Sequence, residues 1–372
     1  MKKIRKAVIP AAGFGTRFLP FTKAVPKELI PLVDKPVIQY VVEEAAAAGI
    51  DQILIITSNG KNAIQDHFNR AFELESRLEA TKKQALLDEL RSISRLADIH
   101  YIHQQELNGL GDAVRCAKSF VGNDPFAVLL GDTVLDSATE TTVTGQLVAA
   151  FETFESPVTA LETVPMERVS RYGVVDGECI GEGLYKVNGW VEKPAPEEAP
   201  SNLVIASRYI FTPDIMAALE RTPRGKGNEI QLTDAMRLLL SRRAMYGRVI
   251  AGKRYDLGNK LGFLTGTVEF GLRRPEFREA FANHSQAPGG KKCNMLKKLK
   301  KALKVLLGVD EQHKVVVKIE PAAKKPEEKK KPRAAREQPS RREREKQGEK
   351  TRERSRDGEG RVAASSRPKR ER

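Results

Sequence analysis

The sequence predicts an α/β protein built on a doubly wound, mainly parallel mixed sheet, and three observations predict it. Short apolar runs alternate with helix-period segments through residues 1–284, the rhythm of βαβ units. Two of the runs, Gln52–Thr57 (QILIIT) and Phe126–Leu130 (FAVLL), carry no polar alternation, as expected of parallel strands covered on both faces. A glycine-rich segment follows the first run directly, and sheets of this kind take ligands at the carboxyl ends of their strands.

Taken in order, Ala7-Val8-Ile9 is a strand opening into the loop Ala11–Thr22, and Pro36–Ala48 is a helix stopped by Gly49. Gln52–Thr57 follows as a buried strand. Lys61–Leu96 is rich in Leu, Ala, Glu, Lys and Arg, with Leu74, Leu78, Leu86 and Leu90 at helical spacing, and is expected to form helices covering the sheet. After the strand Phe126–Leu130, the runs Val158–Val164, Tyr172–Val175, Gly189–Glu192 and Leu203–Phe211 are expected as strands, and Gln231–Arg242 as a helix. This second half should extend the sheet and supply a second lobe facing a substrate.

Charge divides the chain differently. It holds 64 Lys and Arg against 49 Asp and Glu. Residues 285–372 contain 29 and 13 of these, leaving 35 and 36 in residues 1–284, a net charge of −1. The basic character therefore belongs to the C-terminal part and gives no reason to expect nucleic-acid binding by the body. The expected organisation is a domain at 1–284, a linker at 285–319 and a basic tail at 320–372. Asn294–Leu307 reads as a basic amphipathic helix with Leu296, Leu299, Leu303 and Leu306 on one stripe. Residues 320–372 are too poor in large apolar side chains to offset ordering entropy and are expected to be disordered.

Cys116, Cys179 and Cys293 lie far apart, and His100 and His103 lack acidic or thiol partners at metal spacing. Neither a disulfide framework nor a zinc site is expected, and a reducing cytosol fits. The basic start Met1–Lys6 meets Pro10 too early for a signal-peptide core. No stretch approaches the roughly 18–20 apolar residues of a membrane span.

The chemistry-bearing residues begin with Ala11-Ala12-Gly13-Phe14-Gly15-Thr16-Arg17-Phe18-Leu19-Pro20, then Lys23 and Pro26-Lys27-Glu28. Glycines after a strand let backbone N–H groups approach a phosphate or base, and Arg17 and Lys27 add the charge a triphosphate requires. Phe18 stands where a dinucleotide fingerprint needs its third glycine, and no Gly-Lys-Ser/Thr of a P-loop is present. Taken alone, the segment could be an ordinary turn with solvated cations. Asp132 ends a buried strand, where a carboxylate is costly unless it meets a cation. Asp256 precedes Gly258 in a turn-like Asp-Leu-Gly-Asn. Capping or turn chemistry is the alternative for either aspartate.

The full string Gly-x-Gly-Thr-Arg-x-x-Pro-x-Thr-Lys, with Pro-Lys-Glu and Asp34-Lys35-Pro36, resembles the opening of sugar-1-phosphate nucleotidylyltransferases. In detail it is similar to the bacterial UTP–glucose-1-phosphate uridylyltransferase family. The resemblance continues in order through Gln104, Gly109-Leu110-Gly111, Leu130-Gly131-Asp132, Arg171-Tyr172-Gly173-Val174-Val175, Val191-Glu192-Lys193-Pro194, Glu229–Asp234 and Asp256–Lys260. It implies a Rossmann-like nucleotidyltransferase fold and transfer of UMP from UTP to glucose-1-phosphate, giving UDP-glucose and pyrophosphate. It further implies a homo-oligomer in the cytoplasm. Ala12, Gly13 and Gly15 would line the nucleotide, and Gln104 and Gly109 would read uracil. Arg17 would hold the β- and γ-phosphates, and Lys27 the α-phosphate. Asp132 and Asp256 would share one Mg²⁺. Glu192 would accept from sugar hydroxyls, Lys193 would pair with the sugar phosphate, and Gly173 would let backbone approach the sugar. Arg17, Lys27, Asp132 and Lys193 are thus the expected catalytic set.

Two positions depart from the family pattern: Asp112, where histidine is frequent, and Gly131, where proline is common. They put nucleotide contacts in question rather than the reaction. Two rival readings remain. One is a thymidylyltransferase, or a uridylyltransferase for another sugar phosphate. The other is an adaptor of enzyme descent whose basic tail binds nucleic acid or an anionic membrane.

Overall fold

Alternate residues of each unalternated run feed two separate cores, which is why positions 53–56 and 126–129 are all apolar. A computed structural model of the chain describes residues 2–278. The expected amphipathic helix Asn294–Leu307, the tail from 320 and the boundary at 284 lie outside the described residues. From the N-terminus come β1 (Lys6–Pro10), a small hairpin of β2 (Pro31–Leu32) and β3 (Lys35–Pro36), α1 (Val37–Ala47) and β4 (Gln52–Thr57). Next are α2 (Asn62–Phe68), α3 (Phe72–Ala80), α4 (Gln84–Ile93), β5 (Asp98–His103), α5 (Leu110–Arg115) and α6 (Lys118–Val121). Then follow β6 (Phe126–Leu129), β7 (Thr133–Ser137), α7 (Val143–Phe154), β8 (Val158–Thr163), β9 (Gly173–Gly181), β10 (Leu184–Glu192) and β11 (Leu203–Phe211). The last are α8 (Ile215–Arg221), α9 (Leu232–Leu240), β12 (Tyr246–Val249), β13 (Gly252–Asp256) and α10 (Lys260–Arg273).

The main sheet runs β5-β4-β1-β6-β11-β8-β12-β10-β9. Its first four strands pair in parallel. Beyond β6, β11 pairs antiparallel with β6 and β8, and β10 with β12 and β9, while β12 and β8 are parallel. The sheet is therefore mixed, with its unbroken parallel pairing confined to the N-terminal half. On one face Val8, Leu54, Ile56, Phe126 and Val128 pack with Leu232, Met236 and Leu239 of α9. On the other, Ala7, Ile9, Ile53, Ile55, Ala127 and Leu129 pack with Ile38, Val41 and Val42 of α1 and Leu147 and Phe151 of α7. Each large aliphatic side chain fully buried this way contributes roughly 1.5–3 kcal/mol.

Helix ends follow local chemistry. Gly49, at φ 85°, donates to Ala46 O at 2.9 Å, and Ile50 donates to Ala45 O at 3.2 Å, a Schellman stop for α1. Asn259 caps α10 by accepting from Gly262 N at 2.8 Å.

The insert after β4 is helical as expected, but its apolar stripe is set differently. Leu74 and Leu86 are exposed, while Leu87 and Glu75 are buried. Glu75 accepts from Arg70 Nη2 at 2.6 Å and Arg91 Nε at 3.0 Å, so an ion-pair knot fastens α3 to α4. Among the described residues no helix is long and apolar enough to cross a membrane.

Candidate active site

The loop after β1 is held from behind by a buried lysine. Lys61, between β4 and α2, donates to Ala11 O at 2.5 Å and Gly13 O at 2.7 Å, and Ser58 donates to Ala12 O at 2.8 Å. Since N–H lies opposite C=O in a trans peptide, tying back three carbonyls turns the amides of residues 12–14 the other way, as anion or base recognition needs. Glu28, fully buried, pairs with Lys61 at 2.9 Å. Burial pushes the Glu28 carboxyl up against the pull of Lys61 and Lys27, and burial pushes Lys61 down against Glu28. Gly15 has φ 66°, and a Cβ there would stand 2.9 Å from Lys27 Cβ. Its place in the site is to let the Lys27 stem pass.

Beside this loop opens a cavity of about 250 Å³ lined by Ala12, Gly13, Lys27, Gln104, Gly109 and Asp132 among others. Gln104 follows β5, where its N–H bonds Thr57 O at 2.8 Å. Gly109 has φ 100°, and a Cβ there would meet Glu229 Cβ at 2.7 Å, so no other residue fits this turn. The Gln104 amide donates to Asp112 Oδ2 at 2.7 Å, and Asp112 also pairs with Arg115.

The acidic corner forms where β6 and β13 end. Asp132 lies in the turn from β6 to β7, and β7 pairs with β13, whose last residue is Asp256. A Cβ on Gly258 would lie 3.1 Å from Asp132 Oδ2, 3.2 Å from Asp256 Oδ1 and 3.7 Å from Arg17 Nη1. Two carboxylates and a guanidinium therefore converge on one glycine. Lys27 Nζ reaches Asp132 Oδ2 at 2.6 Å. Enclosure pushes the Asp132 carboxyl up, but Lys27 and Arg17 hold it below the usual range. This oxygen-only pair suits a hard cation that draws its remaining ligands from phosphate and water. Among the described residues no group of three or more His, Cys, Asp or Glu side chains forms a metal cage.

Arg208 braces this corner from inside the sheet. Only 1% exposed, it donates to Thr133 O at 2.9 Å, reaches Leu130 O at 3.4 Å and pairs with Glu44 at 2.7 Å. The carbonyls it holds flank Gly131-Asp132.

Glu192 faces Gly173 across the β9–β10 ladder, and β9 pairs back onto β11 at the next residue, Val174 with Val204. Thr233 donates to Glu192 Oε2 at 2.8 Å, and a Cβ on Gly173 would come within 3.3 Å of that oxygen. Lys193 takes φ 47° and turns its ammonium onto Glu192 Oε1 at 2.9 Å. Arg254, two residues before Asp256, stacks 4.3 Å over the Tyr172 ring and pairs with Glu162. It thus links the acidic corner to the residue before Gly173.

The expected residues fall into three groups: Ala12, Gly13, Gln104 and Gly109 at the cavity; Arg17, Lys27, Asp132 and Asp256 at the acidic corner; Gly173, Glu192 and Lys193 at the β9–β10 hairpin. Gly15 does not line the cavity. Sequence reasoning missed Lys61, Glu28, Ser58, Glu44, Arg208 and Arg254, and it left Thr233 out of the site because helix-terminus chemistry fits that residue as well. Glu28 stood within Pro-Lys-Glu and Thr233 within the Glu229–Asp234 motif, so both carried a signal. Lys61 and Arg208 carried none, because burial of a cation is not written in its neighbours.

A family model described as nucleotidyl transferase matches residues 6–270. The chain is 50% identical over 279 residues to a UTP–glucose-1-phosphate uridylyltransferase of Bacillus subtilis (strain 168), covering 75% of this chain and 95% of that one. It is similar to a UDP-glucose pyrophosphorylase solved in complex with UDP-glucose, at TM-score 0.68 and 40% identity over 73% of this chain and 100% of the other. A UTP-bound UGPase from Acinetobacter baumannii gives TM-score 0.71 and 39% identity over 77% of this chain and all of the other.

Proposed function

Since this chain belongs to the nucleotidyl transferase family, we propose that it transfers UMP from UTP to glucose-1-phosphate, producing UDP-glucose and pyrophosphate. The observation that carries the reading is the convergence of Asp132, Asp256 and Arg17 on Gly258, with Lys27 on Asp132 beside the cavity that Gln104 and Gly109 line.

The nucleophile is a phosphate oxygen of glucose-1-phosphate, already anionic, so no general base is required. The task is to hold two polyanions together against repulsion and to stabilise charge as pyrophosphate leaves. The amides freed by Lys61 and Ser58, with Gln104, seat the nucleotide. Lys27 meets the α-phosphate, and Arg17 the β- and γ-phosphates. Glu192, oriented by Thr233, accepts from sugar hydroxyls where Gly173 lets backbone come close, and Lys193 leaves Glu192 for the sugar phosphate. Asp132 and Asp256 would hold Mg²⁺, which supplies charge neutralisation to the triphosphate and the departing pyrophosphate. A cytoplasmic setting accords with phosphorylated substrates that do not cross a bilayer unaided.

The test is pyrophosphate release by purified protein with UTP, Mg²⁺ and a panel of sugar-1-phosphates. Glucose-1-phosphate should give the highest kcat/KM. Turnover of another sugar phosphate at a higher kcat/KM, or none with UTP, would overturn the reading.

A further inference from the structure

A glutamine amide has two ends of nearly equal shape and opposite hydrogen-bonding sense, so reading a base with it requires something to fix which end faces outward. In this protein the fixing group is buried behind the cavity. Gln104 and Asp112 are 5% and 4% exposed. Gln104 Nε2 donates to Asp112 Oδ2 at 2.7 Å and reaches Gly109 O at 3.3 Å. Both amide hydrogens are thereby directed into the protein, and a flipped amide would set its oxygen against two acceptors. Asp112 is itself immobilised. Arg115 pairs with its other oxygen. The turn that carries it is pinned by Gly111 N to Ile230 O at 2.9 Å and Ile230 N to Asn108 O at 2.7 Å.

We propose that Asp112 determines which pyrimidine the cavity accepts, by locking the Gln104 amide so that only its carbonyl oxygen is offered to the base. The inference rests on the reading of Gln104 as the base-facing amide. Uracil presents an N3–H donor on its imide edge, which pairs with that oxygen. Cytosine presents an N3 lone pair there, which opposes it. Sites built around one hydrogen-bonding sense reject the opposite sense strongly, because a buried polar group is left unpaired. Asp112 touches neither phosphate nor metal corner in this arrangement, so it acts on specificity through Gln104 and is a positioning residue.

The test compares kcat/KM for UTP and CTP in full-length wild type and the variants Asp112→Leu, Asp112→Asn and Gln104→Ala, each checked for folding by thermal melting. Leucine fills the aspartate's volume without an acceptor, and Asp112→Ala replaces it should leucine not fold. The leucine variant should lose at least about tenfold in the UTP-to-CTP ratio, within the range that hydrogen-bond discrimination supplies. Asparagine retains an acceptor oxygen and should restore most of the ratio. A folded leucine or alanine variant with the wild-type ratio overturns the lock, provided Gln104→Ala destroys discrimination. If Gln104→Ala leaves the ratio unchanged, the base-facing reading of Gln104 fails, and the lock with it.

Discussion

Lys27 Nζ donates to Asp132 Oδ2 at 2.6 Å, joining the cation proposed for the α-phosphate to the carboxylate proposed for the metal. Burial pushes the lysine down, but Asp132 and Glu28 more than offset this and leave it raised. The lysine thereby occupies Asp132 Oδ2, and it competes with a cation for that oxygen. Lys27→Ala should therefore bind Mn²⁺ more tightly than wild type without nucleotide, as read by electron paramagnetic resonance. Turnover should fall on the order of a hundredfold, as for loss of a key charge on the transferred phosphate. Weaker Mn²⁺ binding in this variant would show that the lysine does not compete with metal.

Asp132→Asn and Asp256→Asn should each lower kcat about a hundredfold, which corresponds to roughly 3 kcal/mol of transition-state stabilisation. Steady-state rates across a Mg²⁺ titration are the measurement. Near-normal activity of either folded variant at limiting Mg²⁺ would remove that residue from the metal site.

Lys193→Ala should raise KM for glucose-1-phosphate far more than KM for UTP, and Glu192→Gln should blur discrimination among sugars. Equal losses for both substrates would place the lysine's work elsewhere.

Lys61→Met leaves Glu28 buried without its closest partner and should destabilise the fold by about 3–5 kcal/mol. Adding Glu28→Leu should recover much of that in chemical denaturation. The double variant should still bind UTP poorly, because Ala11 and Gly13 O lose their donor. Restored UTP affinity alongside restored stability would mean that Lys61 does not shape the loop.

Arg70 and Arg91 hydrogen bonds hold the Glu75 carboxyl at about 2, below its ordinary 4.5. A carboxylate held down in the folded state adds stability above its unfolded pKa and loses it as pH falls toward the folded value. The melting-temperature gap between wild type and Glu75→Gln should be constant near neutrality and shrink from about pH 4.5 downward, by the same linkage. A gap unchanged down to about pH 3 would count against the knot.

The half of the fold built from buried parallel strands was legible because QILIIT and FAVLL admit no solvent-facing side. β5, the sheet-edge strand DIHYIH, was not, since its polar residues break the continuous apolar run that marked the others. The strands β7, β12 and β13 are 4–5 residues long, too short for periodicity to separate them from their surroundings. The residues proposed to face ligand sit in short motifs rich in glycine, proline and charge, and could be named from the sequence. Lys61 and Arg208 act by holding carbonyls of distant loops, a property that exists only once the chain has folded.

Gly173 and Glu192 sit on β9 and β10, in the antiparallel half of the sheet, whereas the glycine-rich loop and Asp132 follow β1 and β6 in its parallel half. On the proposed assignment the donor half of the reaction is housed in the parallel frame, and the acceptor half in a hairpin that closes back onto β11 through Val174 and Val204. Evolution or an engineer could rewrite that hairpin to accommodate a different sugar while the loop after β1 and the turn after β6 are inherited untouched.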